Sequence, residues 1–311
     1  MPIRIGMVDF DSSHCVEFTR RINHIDIEQD QWVDGARVVV GCPGVSLLSP
    51  ERLPGFTEQM RHFGVPLVDE PMAMIGAIDA VMIESVDGQV HLDRARPFIE
   101  AGIPCFVDKP FTCDLGQARE LVDVAERRRV PLFSSSALRY APELVDFLAQ
   151  TQSADSATGS IIGAVTYGPS PVHARNPGLF HYGMHATEVL FALLGPDCQW
   201  VTCVREGGEI GSEKTGAEAV TGQWVDGRIG SVRGIRSGAV AWGFVAFCER
   251  QVVEVHLDLK YVYREQLKRV IQFFDTGRPD VEPRETVRLM AFLEAALRSG
   301  RTGGTPQRLD A

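Results

Sequence analysis

Short, largely apolar runs alternate with helical stripes along the first 145 or so residues, and this alternation most restricts the fold. The runs lie at 3–8, 36–41, 78–83, 103–107 and 130–133. None alternates apolar with polar residues, the pattern of strands buried on both faces. Between them, 115–129 places apolar side chains at 115, 118, 121, 122 and 125, a single helical stripe. Residues 90–101 also read as a helix, closed by Gly102. Strand and helix in turn predict an α/β unit with a doubly wound parallel sheet over residues 1–143.

A second period takes over beyond that point. Runs at 161–167, 200–205, 217–224, 229–235, 240–247 and 252–257 largely alternate, with turns such as Asp226-Gly227 and Ser237-Gly238 between them. They predict an α+β domain over 144–311, with an open, mainly antiparallel sheet that keeps one face for solvent or a partner. Stretch 151–160 is small and polar and reads as a loop. Two helical stripes follow the sheet, at 267, 270, 271 and 274 and at 289, 292, 293 and 296; the tail from Gly300 reads as loose.

Composition narrows the partners. With 41 acidic against 31 basic residues the net charge is −10, which argues against a nucleic acid or an anionic membrane. Seven cysteines without a C-x-x-C pair read as reduced, buried thiols of a cytoplasmic protein. The first residues reach Asp9 and Asp11 too soon to hold the apolar core of a signal peptide, and no apolar stretch is long enough to span a bilayer.

The run that ends at Val107 stops in Asp108-Lys109-Pro110. Proline cannot donate to a ladder, so Lys109 is presented at the carboxyl end of a parallel strand, where open α/β sheets hold ligands. A lone lysine there reads as a solvated loop residue. The second constellation, His181-Tyr182-Gly183-Met184-His185, lifts it above that reading.

Taken in order, these segments resemble the Gfo/Idh/MocA oxidoreductase family. Asp108-Lys109-Pro110 is similar to the family's Glu-Lys-Pro, and His91 falls at the histidine of its Pro-Asn-x-x-His segment. Arg139-Tyr140-Ala141-Pro142 is similar to its Arg-Tyr-x-Pro, and Gly159-Ser160-Ile161-Ile162-Gly163 to its Gly-x-Ile-Gly. His181-x-Gly183-x-His185-x-x-Glu188 resembles its Asp-x-Gly-x-His-x-x-Asp, with His181 and Glu188 replacing the two aspartates. The resemblance implies an N-terminal Rossmann domain, NAD or NADP as cofactor, and a small hydroxy/keto or polyol/sugar-like substrate. It also implies a homodimer or homotetramer built through the C-terminal sheet. Lys109 would be the proton donor or acceptor, and His185 would contact the substrate oxygen beside His181. Arg139, Tyr140, Tyr182 and Glu188 would complete the substrate side. Ser85, Asp87, His91, Asp108 and Pro110 would lie on the cofactor side.

The phosphate loop departs from the pattern. A dinucleotide-binding turn needs glycines so that the backbone can approach the pyrophosphate at a helix N-terminus. Here the segment reads Gly6-Met7-Val8-Asp9-Phe10-Asp11-Ser12-Ser13-His14, with Asp9 and Asp11 where the first two glycines are expected. Two carboxylates beside a pyrophosphate repel it by about 1 kcal/mol or more per close pair. In the reading that rescues binding, Asp11, Ser12 or Ser13 caps a helix starting near His14, and its N–H groups and hydroxyls meet one phosphate. After the second strand, Cys42-Pro43-Gly44 either shapes an adenosine pocket or simply turns the chain. No acid follows that strand directly, so the choice between NAD and NADP stays open.

Two other functions fit the same residues: a redox-neutral NAD-dependent lyase or glycosidase, and a non-catalytic ligand-binding or regulatory protein on this fold. His181, His185 and Glu188 would share one face of a continuous helix, as zinc ligands do. Gly183 predicts instead that the helix starts between the histidines, and no metal is assigned.

Overall fold

The computed structural model describes residues 1–153, 155–205 and 216–310, so Ala154 of the expected 151–160 loop lies outside the described residues. The chain forms two units, Met1–Ser135 with Tyr263–Thr286, and Ser136–Val262 with Val287–Ala311.

In the first unit, β1 (Ile3–Val8), β2 (Ala36–Cys42), β3 (Ala80–Ile83), β4 (Cys105–Val107) and β5 (Leu132–Phe133) form one parallel sheet in the order β2-β1-β3-β4-β5. Its helices are α1 (His14–Asn23), α2 (Leu53–His62), α3 (His91–Glu100) and α4 (Leu115–Arg128). The apolar runs became strands because both faces are covered: Ile5, Met7, Val8, Val81, Met82, Ile83, Phe106 and Val107 are all buried. α4 starts where Asp114 accepts a hydrogen bond from the Gln117 N–H (2.9 Å) and stops at Arg129 in the left-handed conformation.

The chain runs from β1 outward to β2 and then back across to β3, so the topological switch point lies between β1 and β3. Val8, Ile83 and Val107 stand side by side at the carboxyl ends of three adjacent strands. The ladder continues one step further: the Glu84 N–H donates to Val8 O and the Asp108 N–H to Ile83 O, both at 2.9 Å. Three acids, Asp9, Glu84 and Asp108, thus follow the same row.

The second unit holds α5 (Pro142–Thr151), β6 (Ile161–Pro169), α6 (Gly183–Leu194), β7 (Cys198–Arg205), β8 (Ala217–Trp224), β9 (Ile229–Ile235), β10 (Gly243–Cys248) and β11 (Val252–His256). They are followed by α7 (Val262–Thr276), α8 (Pro283–Arg301) and β12 (Gln307–Arg308). The sheet order is β11-β10-β6-β9-β8-β7-β12, antiparallel throughout except for β6 beside β9. α6 lies close on one face: a Cβ added at Gly230 would meet Leu194 at 2.5 Å and Leu190 at 2.9 Å. On the other face Trp200, Gln223, Ile229, Gly163, Phe247 and Val252 pair in one row across the strands.

Two expectations are corrected. A single cut at 143/144 does not describe the chain: the break falls at 135/136, and nearly all of α7 folds back into the first unit. The tail is not loose, since Gln307 and Arg308 pair with Val201 and Trp200 and bury Leu309.

Candidate active site

At the end of β1, Asp9 adopts a left-handed backbone (φ 63) and buries its carboxylate. Arg94 Nε donates to Asp9 Oδ2 at 2.9 Å, and Ser85 Oγ donates to the same oxygen. Gly44, at φ +68, leaves room that this carboxylate fills; a Cβ there would lie 1.8 Å from Asp9 Oδ1. Burial raises the Asp9 pKa, while Arg94 and Ser85 work against the rise. Asp11 is also engaged internally, with Oδ2 accepting from Ser46 Oγ (2.6 Å) and Oδ1 from the Val86 N–H (3.0 Å). The loop is further tied to β2 by the Asp9 N–H on Cys42 O (2.9 Å) and the Phe10 N–H on Pro43 O (3.0 Å).

At the start of α1, Ser12 Oγ accepts the His14 N–H at 3.1 Å. Ser13 is exposed, and its side chain makes no capping bond. These residues fit a dinucleotide in spite of the missing glycines. Three of the four carboxylate oxygens are engaged, Asp9 Oδ2 by Arg94 and Ser85 and the Asp11 pair by Ser46 and Val86, while the buried Asp9 Oδ1 has no hydrogen-bond partner. The positive end of a ten-residue helix begins beside an exposed hydroxyl.

The next strand ends carry the other expected residues. Asp87 is buried, and its Oδ1 accepts the Gln89 N–H at 3.0 Å. His91 is fully buried, with Nδ1 3.1 Å from Phe111 O and Nε2 2.8 Å from Ser85 O, so it ties together the loops after β3 and β4. Lys109 is only 6% exposed, its Nζ lies 4.0 Å from Asp108 Oδ2, and its bond to Pro110 is cis. Asp108 is fully buried with Oδ2 2.7 Å from His14 Nδ1. Burial alone would raise its pKa, but His14 and Lys109 outweigh burial and hold it at about 2.

Glu84, absent from the sequence expectations, completes this group. It is fully buried, and neither carboxylate oxygen has a hydrogen-bond partner. Burial, then the Asp108 charge, pushes its pKa well above the usual range. A polar group left unsatisfied in this way costs about 1–3 kcal/mol. Its signal was present in the sequence, because Glu84 terminates the apolar run 78–83 much as Asp108 terminates 103–107. Arg94 and Ser46 carried no comparable signal. Their partners lie 85 and 35 residues away.

In the second unit α6 begins at Gly183, so His181 stands before the helix that carries His185 and Glu188. His185 Nδ1 lies 2.6 Å from Ser136 Oγ, which also accepts the Leu138 N–H at 3.2 Å. The edge-on rings of Trp242 (5.4 Å) and Tyr182 (5.7 Å) flank the imidazole. One turn along α6, buried Glu188 accepts from Arg139 Nη1 at 3.5 Å. His181 Nδ1 lies 3.5 Å from Asn176 Nδ2, Tyr182 is exposed and Tyr140 is buried. Six expected residues, Arg139, Tyr140, His181, Tyr182, His185 and Glu188, therefore lie around the start of α6 and the segment before α5, together with Ser136, Asn176 and Trp242.

Comparison with known proteins bears on the family and the fold. The model of an oxidoreductase family with an NAD-binding Rossmann fold, Gfo/Idh/MocA, matches residues 46–136, which include Glu84, Asp108, Lys109 and Ser136. A UDP-N-acetylglucosamine 3-dehydrogenase from Acidithiobacillus ferrooxidans is 30% identical over 101 residues. That match spans 32% of this chain and 31% of the relative, less than a third of either. Among solved structures, myo-inositol 2-dehydrogenase from Lactobacillus plantarum superposes over the whole of both chains with a TM-score of 0.81 at 14% identity. The WlbA dehydrogenase from Bordetella pertussis, crystallised with NADH and UDP-GlcNAcA, does so with 0.77 at 17%. At such identities the likeness to these structures is one of fold. Among the described residues no helix is long and apolar enough to cross a membrane.

Proposed function

We propose, for a chain whose residues 46–136 match the Gfo/Idh/MocA oxidoreductase family, NAD(P)-dependent hydride transfer between a nicotinamide and a hydroxyl-bearing or keto carbon of a small polyol or sugar-like molecule. The observation that carries this reading is Lys109, buried at the carboxyl end of β4 within the segment matched to the family. When bound, the nicotinamide supplies the hydride chemistry. Ser12, Ser13 and the first turn of α1 would hold the phosphates, Ser85 and Asp87 the nicotinamide ribose, and Cys42, Pro43 and Gly44 the adenosine side.

Lys109 moves the proton on the substrate oxygen. As an ammonium it polarises a carbonyl; as an amine it accepts the alcohol proton. In the second unit His185, its ring set by Ser136, is the assisting proton-handling group. Arg139, Tyr140, His181, Tyr182 and Glu188 present the donors and acceptors that recognise hydroxyl groups. The inositol and UDP-N-acetylglucosamine dehydrogenases among its relatives support the polyol or sugar-like substrate class. The seven free cysteines support a reducing, cytoplasmic location, and the exposed apolar residues on the open sheet face support a homo-oligomer.

Substituting Lys109→Ala tests the mechanism. Turnover of the substrate found by screening polyols and sugars should fall by about 10²–10⁴-fold, with the circular dichroism of the parent retained. An unchanged rate would remove the role assigned to Lys109.

A further inference from the structure

His14 stands at the third glycine of the G-x-G-x-x-G pattern that begins at Asp9. Its side chain reaches the ends of β3 and β4, where Glu84 and Asp108 point toward one another. We propose that His14, Glu84 and Asp108 form a binding site for one divalent first-row transition-metal ion of the zinc or manganese kind. The proposal does not depend on the dehydrogenase reading.

Geometry supports it first. One ligand atom from each residue lies within 4.8 Å of the other two. His14 Nδ1 is 2.7 Å from Asp108 Oδ2 and 3.8 Å from Glu84 Oε2. These separations bracket the roughly 3.3–3.6 Å between ligands of a tetrahedral ion with bonds of about 2.0–2.2 Å. One imidazole and two carboxylates suit zinc or manganese, and three protein ligands leave a further position for water or a substrate oxygen.

The second line of support is independent of spacing. Both oxygens of the fully buried Glu84 lack a hydrogen-bond partner, and so does Asp108 Oδ1. Buried carboxylates are held by a paired charge or by a metal. His14, 2.7 Å away, and Lys109, 4.0 Å away, offset the Asp108 charge, but neither is hydrogen-bonded to Glu84. The outer shell also fits. His14 Nε2 lies 3.2 Å from Tyr263 Oη, which turns Nδ1 toward the carboxylates. A metal-bound histidine is oriented in this way, by a partner on its other nitrogen.

The test uses the untagged full chain. Metal content is measured on the purified protein. Chelator-stripped protein is then titrated calorimetrically with ZnCl2 and, separately, MnCl2, with thermal melts recorded in parallel. The expected result is one equivalent bound per chain for at least one ion and a metal-dependent rise in Tm. Glu84→Gln should weaken binding by about 100-fold or more, and Tyr263→Phe by roughly tenfold. If Glu84→Gln does not fold, His14→Gln carries the same comparison. Absence of binding of both ions to the folded parent would overturn the proposal. So would unchanged affinity in the folded Glu84→Gln or His14→Gln protein, which would place the metal elsewhere.

Discussion

Asp9 brings a left-handed backbone and a buried carboxylate to a position where a phosphate-binding loop normally has glycine. It is tolerated because Arg94 and Ser85 share one of its oxygens. Arg94→Ala should destabilise the protein by about 1–3 kcal/mol; the figure is below that of a fully buried pair because the Arg94 side chain is 29% exposed. The sign with pH follows from burial, which raises the Asp9 pKa above its ordinary value of 3.8. Stability tied to the protonated form is complete below the unfolded value and is lost as pH rises through the folded one. Removing Arg94 lifts the folded pKa further. Urea unfolding should therefore show a gap between variant and parent that widens from acid to neutral pH, and a constant gap would contradict the pairing. At this scale the sequence was readable where a residue ends an apolar run, as at Asp108-Lys109. It was silent on partners, because His14 and Asp108 meet across 94 residues and no local pattern encodes that contact.

Elements were the most legible level. Each apolar run of the first unit became a strand, and the late starts of β4 and β5 have a common cause: Pro104 and Pro131 precede them and cannot donate to the ladder. Gly183 marked the start of α6. What escaped were elements without periodicity or with ambiguous partners. β12 is two polar residues long, too short for an alternating pattern, and the stripe of α7 indicates a buried face without saying which unit covers it. The close approach of α6 to its sheet belongs here too. Gly230→Ala should cost about 1–3 kcal/mol by overpacking, because the added Cβ would meet the ring of buried Trp224 at 3.0 Å as well as the Leu190 and Leu194 tips. Chemical denaturation measures it, and a neutral result would mean that α6 sits further from the sheet than these contacts require.

For the whole molecule, the two-period pattern anticipated two units but not the crossing of the chain back into the first. The assembly proposed above rests on the open sheet face, where Trp200 (42%), Ile229 (58%), Phe247 (40%) and Val252 (62%) are exposed in one cross-strand row. A charge in that row would meet its own copy across a symmetric interface. Phe247→Asp should therefore reduce the mass measured by light scattering to that of a single chain while leaving the circular dichroism intact. An unchanged oligomer would exclude this face. The central claim is that a loop rebuilt with Asp9 and Asp11 still accepts a dinucleotide. Its most direct test is calorimetric titration of cofactor-stripped protein with NADH and, separately, NADPH. The account predicts micromolar binding of at least one of them, whereas no binding of either, in reduced or oxidised form, would contradict it.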